Sequence, residues 1–140
     1  MSDFSVFMAG NALKDEIVKV VVSDRFAKDG KPVEWELKAV DAETDERIRK
    51  ESSKLVPVGK HGQKVEQNDN NKYIGKLCVA STVYPNLNDA ELQDSYGVKS
   101  ADALLKKMLK PGEYTTFQLK VMEINGFDLS MEELVDEAKN

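Results

Sequence analysis

Apolar positions in this chain change their period midway, from alternation in the first half to helical spacing in the second. Val33, Trp35, Leu37 and Ala39 alternate with Glu34, Glu36 and Lys38, the pattern of a strand with one face on a core. Upstream, Glu16 to Ser23 is a β-branched run suited to a buried strand. Asp29-Gly30 and Pro32 supply turn chemistry between the two, so they are expected to pair as an antiparallel hairpin with a long loop. Phe4, Phe7 and Met8 stand at helical spacing in a short opening segment. Asp41 to Ser52 reads as a charged surface helix, because Asp41 can cap its first turn and Ile48 is its only large apolar residue. In residues 53–72, Leu55, Val56 and Val58 flank Pro57 and are followed by Gly59, Gly62 and a polar run, which predicts a loose or edge hairpin with a mobile tip.

Helical spacing takes over from Tyr73 to Val83, where Tyr73, Ile74, Leu77, Cys78 and Ser81 fall on one stripe. Pro85 is expected to end that helix by keeping Tyr84 out of helical angles. Asn88 can cap a helix containing Glu91 and ending near Gly97, and Ser100 can cap the next. In that next helix Ala101, Leu104, Leu105, Met108 and Leu109 form the stripe, and Lys106, Lys107 and Lys110 suit the negative end of its dipole. Pro111 fits the first turn of another helix, which Tyr114, Phe117, Val121 and Ile124 continue to Asn125-Gly126. Phe117, Leu119 and Val121 also alternate, so a strand is the alternative there. Ser130 and Glu133 form a capping box for a terminal helix with Met131, Leu134, Val135 and Ala138 on its apolar side.

The expected fold class is α+β: one domain over residues 1–140, with a small antiparallel sheet or hairpin in a strand-rich half (1–70) and a cluster of short helices in the other (71–140). A chain of 140 residues that is 41% hydrophobic can build one core. Its 25 acidic and 20 basic residues leave a net charge of -5, which argues against binding a nucleic-acid backbone, and no basic arm stands out in either half. A single cysteine, Cys78, fits a reducing compartment. Met1 to Gly10 lacks the basic start and long apolar run of a signal peptide, and nothing approaches the roughly 20 apolar residues of a membrane span. A cytoplasmic, non-membrane protein is expected.

Candidate chemistry is sparse. His61 lies between Lys60 and Gly62 in a turn-like segment with no ligand-spaced Asp, Glu or Cys, which reads as a solvated loop histidine. Cys78 sits on the inferred core side of a helix and reads as a small buried hydrophobe rather than a nucleophile. The carboxylate pairs Glu34 with Glu36 and Glu132 with Glu133 fit exposed faces better than a desolvated cleft. The glycines do not make a phosphate-binding loop. No catalytic, cofactor-binding or metal-ligating residue is nominated, and no cofactor is expected. Trp35, in phase with Val33 and Leu37, belongs to a core.

Short signatures in fixed order carry more information: Ser23-Asp24-Arg25-Phe26, Asp29-Gly30-Lys31, Glu34-Trp35, Tyr84-Pro85-Asn86-Leu87, Leu92-Gln93-Asp94-Ser95-Tyr96-Gly97, Met108-Leu109, Pro111-Gly112-Glu113-Tyr114 and Glu123-Ile124-Asn125-Gly126-Phe127. Together they resemble the XkdN-like tail assembly chaperones of phages and of defective prophages of the PBSX type. The resemblance spans nearly the whole chain, and residues 59–72 contribute least. It implies a non-catalytic assembly factor of the bacterial cytoplasm that binds the tape measure protein and helps tail tube protein assemble around it. A tape measure protein exposes long apolar helical stretches that aggregate unless covered. On this reading Leu104, Leu105, Met108 and Leu109, with Met131, Leu134 and Val135, are the candidate partner-binding residues, chosen for their Leu and Met stripes. Homo-oligomerisation stays open. The alternatives are a structural tail component or a small cytoplasmic enzyme.

Overall fold

In the computed structural model, which describes residues 3–127, the chain opens with a 3₁₀ turn over Asp3–Phe7 and runs extended into strand β1, Val18–Val20. Two short strands follow, β2 (Ala27–Lys28) and β3 (Lys31–Pro32), joined by Asp29 and Gly30 at φ 54° and 79°. Two successive positive φ values make a type I′ turn, the tight connection whose twist matches paired strands. Strand β4, Trp35–Leu37, then pairs antiparallel with β1, Val18 opposite Leu37 and Val20 opposite Trp35. The expected hairpin therefore forms, with a second, smaller ladder inside its loop.

Helix α1 covers Ala42–Glu51, and the Asp41 carboxylate accepts from the Thr44 N–H at 2.8 Å to cap it. Ile48 is its buried residue, as the charged sequence requires. Strands β5 (Ser53–Val58) and β6 (Gln63–Asn68) form a separate two-stranded hairpin around Gly59 and Gly62, both at positive φ. Helix α2, Asn70–Ser81, starts at the Asp69 cap and buries Tyr73, Leu77, Cys78 and Ser81.

Beyond Ser81 the structure corrects the sequence reading. Thr82–Tyr84 leaves the helix and becomes strand β7, antiparallel to β4, which gives a three-stranded sheet in the order β1-β4-β7. Thr82 and Val83 are β-branched and disfavour helix, and the freed backbone is taken up by β4; the Lys38 N–H also donates to the Ser81 carbonyl at 2.8 Å. Helix α3, Ala90–Ser95, is capped by Asp89 rather than Asn88, since the Asn88 N–H is turned toward the Asn86 side chain. It ends with Gly97 at φ 69° and bonds from Gly97 N–H to Asp94 O and from Val98 N–H to Gln93 O, a Schellman closure. Helix α4, Ala101–Met108, is capped by Ser100, and helix α5, Pro111–Ile124, has proline in its first turn. The strand alternative for Phe117 to Val121 does not form. The terminal helix expected over Met131, Leu134, Val135 and Ala138 lies outside the described residues.

Helix α2 occupies the centre, packed against α1, α4 and α5 and adjoining β7. The sheet sends Trp35 and Leu37 into the same core, where the Trp35 ring meets Phe117 of α5 edge-on at 5.4 Å and lies 6.3 Å from Phe26. Gly75 on α2 faces the Tyr114 hydroxyl and Asp102 of the neighbouring helices, with room left at ordinary contact distance.

Candidate partner-binding surface

Polar groups inside the described domain are used as joints. The Arg25 guanidinium reaches across to the Met108 carbonyl at the end of α4 and to Glu113 at 3.4 Å in the first turn of α5, and stands over the Phe26 ring. Glu113 also accepts from the Lys110 N–H at 2.8 Å, and this bond, with the Ser23 hydroxyl next and the Arg25 charge after it, holds its carboxyl below the usual range. Asn125 ties the far end of α5 down: its Oδ1 accepts from Val40 N–H at 2.9 Å, and its Nδ2 donates to Ser81 Oγ at 3.0 Å and Val121 O at 2.8 Å. Asp45, Arg49 and Tyr73 clasp α1 to α2, with the guanidinium 4.2 Å from the Tyr73 ring centroid. Burial first, then the bond to Asp45, pushes the Tyr73 phenol up to about 12.

None of these clusters has the form of a reactive centre. Cys78 is buried, and desolvation pushes its thiol up to about 12, so it is a thiol and not a thiolate at neutral pH. His61 stands exposed at the tip of the β5–β6 hairpin. Among the described residues no three His, Cys, Asp or Glu side chains gather as a metal site, every buried side-chain N or O has a hydrogen-bond partner, and no helix is long and apolar enough to cross a membrane. Glu34 is exposed and Glu36 half-buried on the sheet.

The α4 stripe is not a ready surface. Leu104 and Leu105 are wholly buried, and Met108 and Leu109 nearly so, because α2 covers the side of α4 that carries them. These four residues belong to the core, and the expectation that they face a partner is corrected. Met131, Leu134 and Val135 lie outside the described residues.

Exposed apolar side chains lie elsewhere. The N-terminal segment presents Val6, Phe7, Met8 and Leu13, with Phe7 76% and Leu13 99% exposed, and Phe4 and Phe7 place their rings 6.3 Å apart. Ile17 and Val21 flank β1, and Val83 and Tyr84 lie on β7. Leu55, Val58 and Val65 are exposed on the β5–β6 hairpin. Sequence reasoning saw the helical spacing of Phe4, Phe7 and Met8 without nominating them. The available signal was the cluster of large apolar residues itself, Phe4, Val6, Phe7 and Met8 close together in sequence.

The result is a small α+β domain whose buried polar groups join its elements and whose exposed apolar groups lie on the N-terminal segment, the sheet and the β5–β6 hairpin. Comparison with known proteins gives this domain a family. Residues 4–139 match the model of the phage XkdN-like tail assembly chaperone proteins, and the chain belongs to that family. It is 35% identical to the uncharacterized protein YqbN of Bacillus subtilis (strain 168), an alignment covering 99% of this chain and 93% of that one. It is 32% identical to the phage-like element PBSX protein XkdN of the same organism, over 99% and 94% of the two chains. The crystal structure of the protein YqbN superposes with a TM-score of 0.78 at 29% identity, covering 91% of this chain and 99% of that one.

Proposed function

We propose that this protein is a non-catalytic chaperone of the host cytoplasm that binds the tape measure protein and assists assembly of tail tube protein around it. Family membership over residues 4–139 supports the tail-assembly role. The observation that carries the binding mode is the exposed N-terminal segment, where Val6, Phe7, Met8 and Leu13 stand open to solvent among the described residues. Such side chains suit the apolar stripe of a helix that would otherwise aggregate, and the flexible Met8 adapts to varied partners. Met131, Leu134 and Val135 are proposed as a further set of partner contacts, from their spacing in the sequence.

Co-expression with the tape measure protein, followed by size-exclusion chromatography with light scattering, tests the reading. The two proteins should elute together as a soluble complex. Replacing Phe7 and Leu13 with Ser, or Met131, Leu134 and Val135 with polar residues, should lose the complex while circular dichroism stays unchanged. A tape measure protein that precipitates while this protein elutes alone would refute the role, and complexes undiminished by both sets of replacements would refute the surface.

A further inference from the structure

The β5–β6 hairpin stands apart from the remaining strands: among the described residues no third strand joins it, and it is tied to the domain near its base, where Asp69 N–H donates to Ser52 O at 2.8 Å and Ser53 Oγ to Lys50 O at 3.0 Å. All six residues of β6 are exposed. Two strands alone are marginal in water; three or more with an apolar face make a stable unit. Its two outer edges also differ. Pro57 has no N–H to offer and blunts β5, whereas Gln63–Asn68 contains neither proline nor glycine, and its alternate residues Lys64, Glu66 and Asn68 turn their backbone donors and acceptors to the outer edge.

We propose that β6 pairs antiparallel with β6 of a second copy about a twofold axis at Val65, joining two hairpins into one four-stranded sheet. The sequence of β6 is self-complementary in this register. With Val65 opposite its own equivalent, Lys64 lies opposite Glu66 of the second copy, Glu66 opposite its Lys64, and Gln63 opposite Gln67. Opposed charges across a strand pair stabilise, and like charges destabilise. An axis at Lys64 sets lysine against lysine, an axis at Glu66 sets glutamate against glutamate, and an axis between Val65 and Glu66 leaves Lys64 opposite Gln67. The apolar side gains as well. Val56 pairs with Val65 within the hairpin, and Val58, two residues along β5, shares their face, so the twofold sheet makes one valine surface from both copies. A twofold contact of this kind closes on itself and stops at two copies.

The full chain, in sedimentation equilibrium over a range of concentrations, should behave as a reversible dimer. Lys64→Glu and Glu66→Lys each place like charges at two symmetric positions and should weaken the dimer on the order of tenfold or more. Mixing the two variants in equal amounts should restore association as a heterodimer, and the double variant Lys64→Glu/Glu66→Lys should dimerise as the parent does. A chain that stays monomeric at every concentration overturns the proposal, including the case in which β6 becomes protected from amide exchange only when a tail protein is added. So does a dimer indifferent to both single replacements.

Discussion

Replacing Asn125 with alanine removes three hydrogen bonds at one place, at 2.8, 2.9 and 3.0 Å, and with them the link from the end of α5 to the segment after β4 and to α2. The Ser81 hydroxyl can turn back to its own helix, so its loss is small even though Ser81 is wholly buried. Val40 N–H has no such choice. Leaving that half-buried donor unmatched, together with the lost bonds, costs about 2 kcal/mol. Thermal unfolding followed by circular dichroism should show a melting temperature lowered by roughly 8 °C. Asn125→Asp sharpens the test, because the new carboxyl keeps an acceptor for Val40 but sets a second oxygen against the Val121 carbonyl. Only the protonated form can donate there, so folding raises the carboxyl pKa, and the added stability is present at acid pH and lost as pH rises through the raised value. The deficit of Asn125→Asp should therefore be smaller at pH 4 than at pH 7. A loss under about 0.5 kcal/mol for Asn125→Ala, the range of ordinary surface changes, would refute the reasoning.

Gly75→Ala should stabilise α2 by up to about 1 kcal/mol, since alanine is the better helix former and its Cβ would meet the Tyr114 hydroxyl at 3.5 Å and Asp102 at 3.9 Å, both ordinary contacts; urea titration checks this, and a loss of stability would show that the helices cannot accept the methyl group. Stability should fall in alkali. Burial raises Cys78 to about 12, so the unfolded thiol ionises first; stability is full below about pH 9 and declines above it by up to about 1.4 kcal/mol per pH unit, joined above pH 10 by Tyr73 and Tyr114. Cys78→Ala should remove the part of this slope that begins near pH 9, and equal slopes in variant and parent would contradict it. In the native state at pH 8, Cys78 should resist a thiol-directed reagent until denaturant is added, with fast native labelling as the contrary result.

The elements legible in the sequence are those whose signals are local. Alternation around Trp35 marks β4, and Asp41, Ser100 and Pro111 mark the starts of α1, α4 and α5, because a cap or a first-turn proline acts within a few residues of itself. Strand β7 was hidden because Thr82 to Tyr84 follows α2 without an intervening turn residue, and three extended residues are stable only by pairing with β4 far upstream. The cap of α3 moved from Asn88 to Asp89 because both side chains can cap, and the choice lay with the Asn86 turn. The α4 stripe was read in the right place and given the wrong role. Leu104, Leu105, Met108 and Leu109 have the spacing of a core helix and of a docking helix alike, and only the position of α2 decides between them.

That error bears on how the family signatures work. The residues of Ser23-Asp24-Arg25-Phe26 and Pro111-Gly112-Glu113-Tyr114 meet each other through Arg25 and Glu113, Leu87 and Gln93 are joined by a 2.9 Å bond, and Asn125 holds Val40 and Ser81. They set the joints between elements, so they report which fold the chain adopts and not what it touches. The segments that carry exposed apolar groups, Val6, Phe7, Met8 and Leu13 in one and Leu55, Val58 and Val65 of the β5–β6 hairpin in the other, place none of these in the core cluster of the described residues. Residues 59–72, the part that contributes least to the resemblance, include β6, whose side chains are all exposed. Exchanging residues 53–68 between this chain and YqbN should accordingly preserve the melting temperature within a few degrees, and a collapse of the fold on exchange would show the hairpin to be part of the core after all.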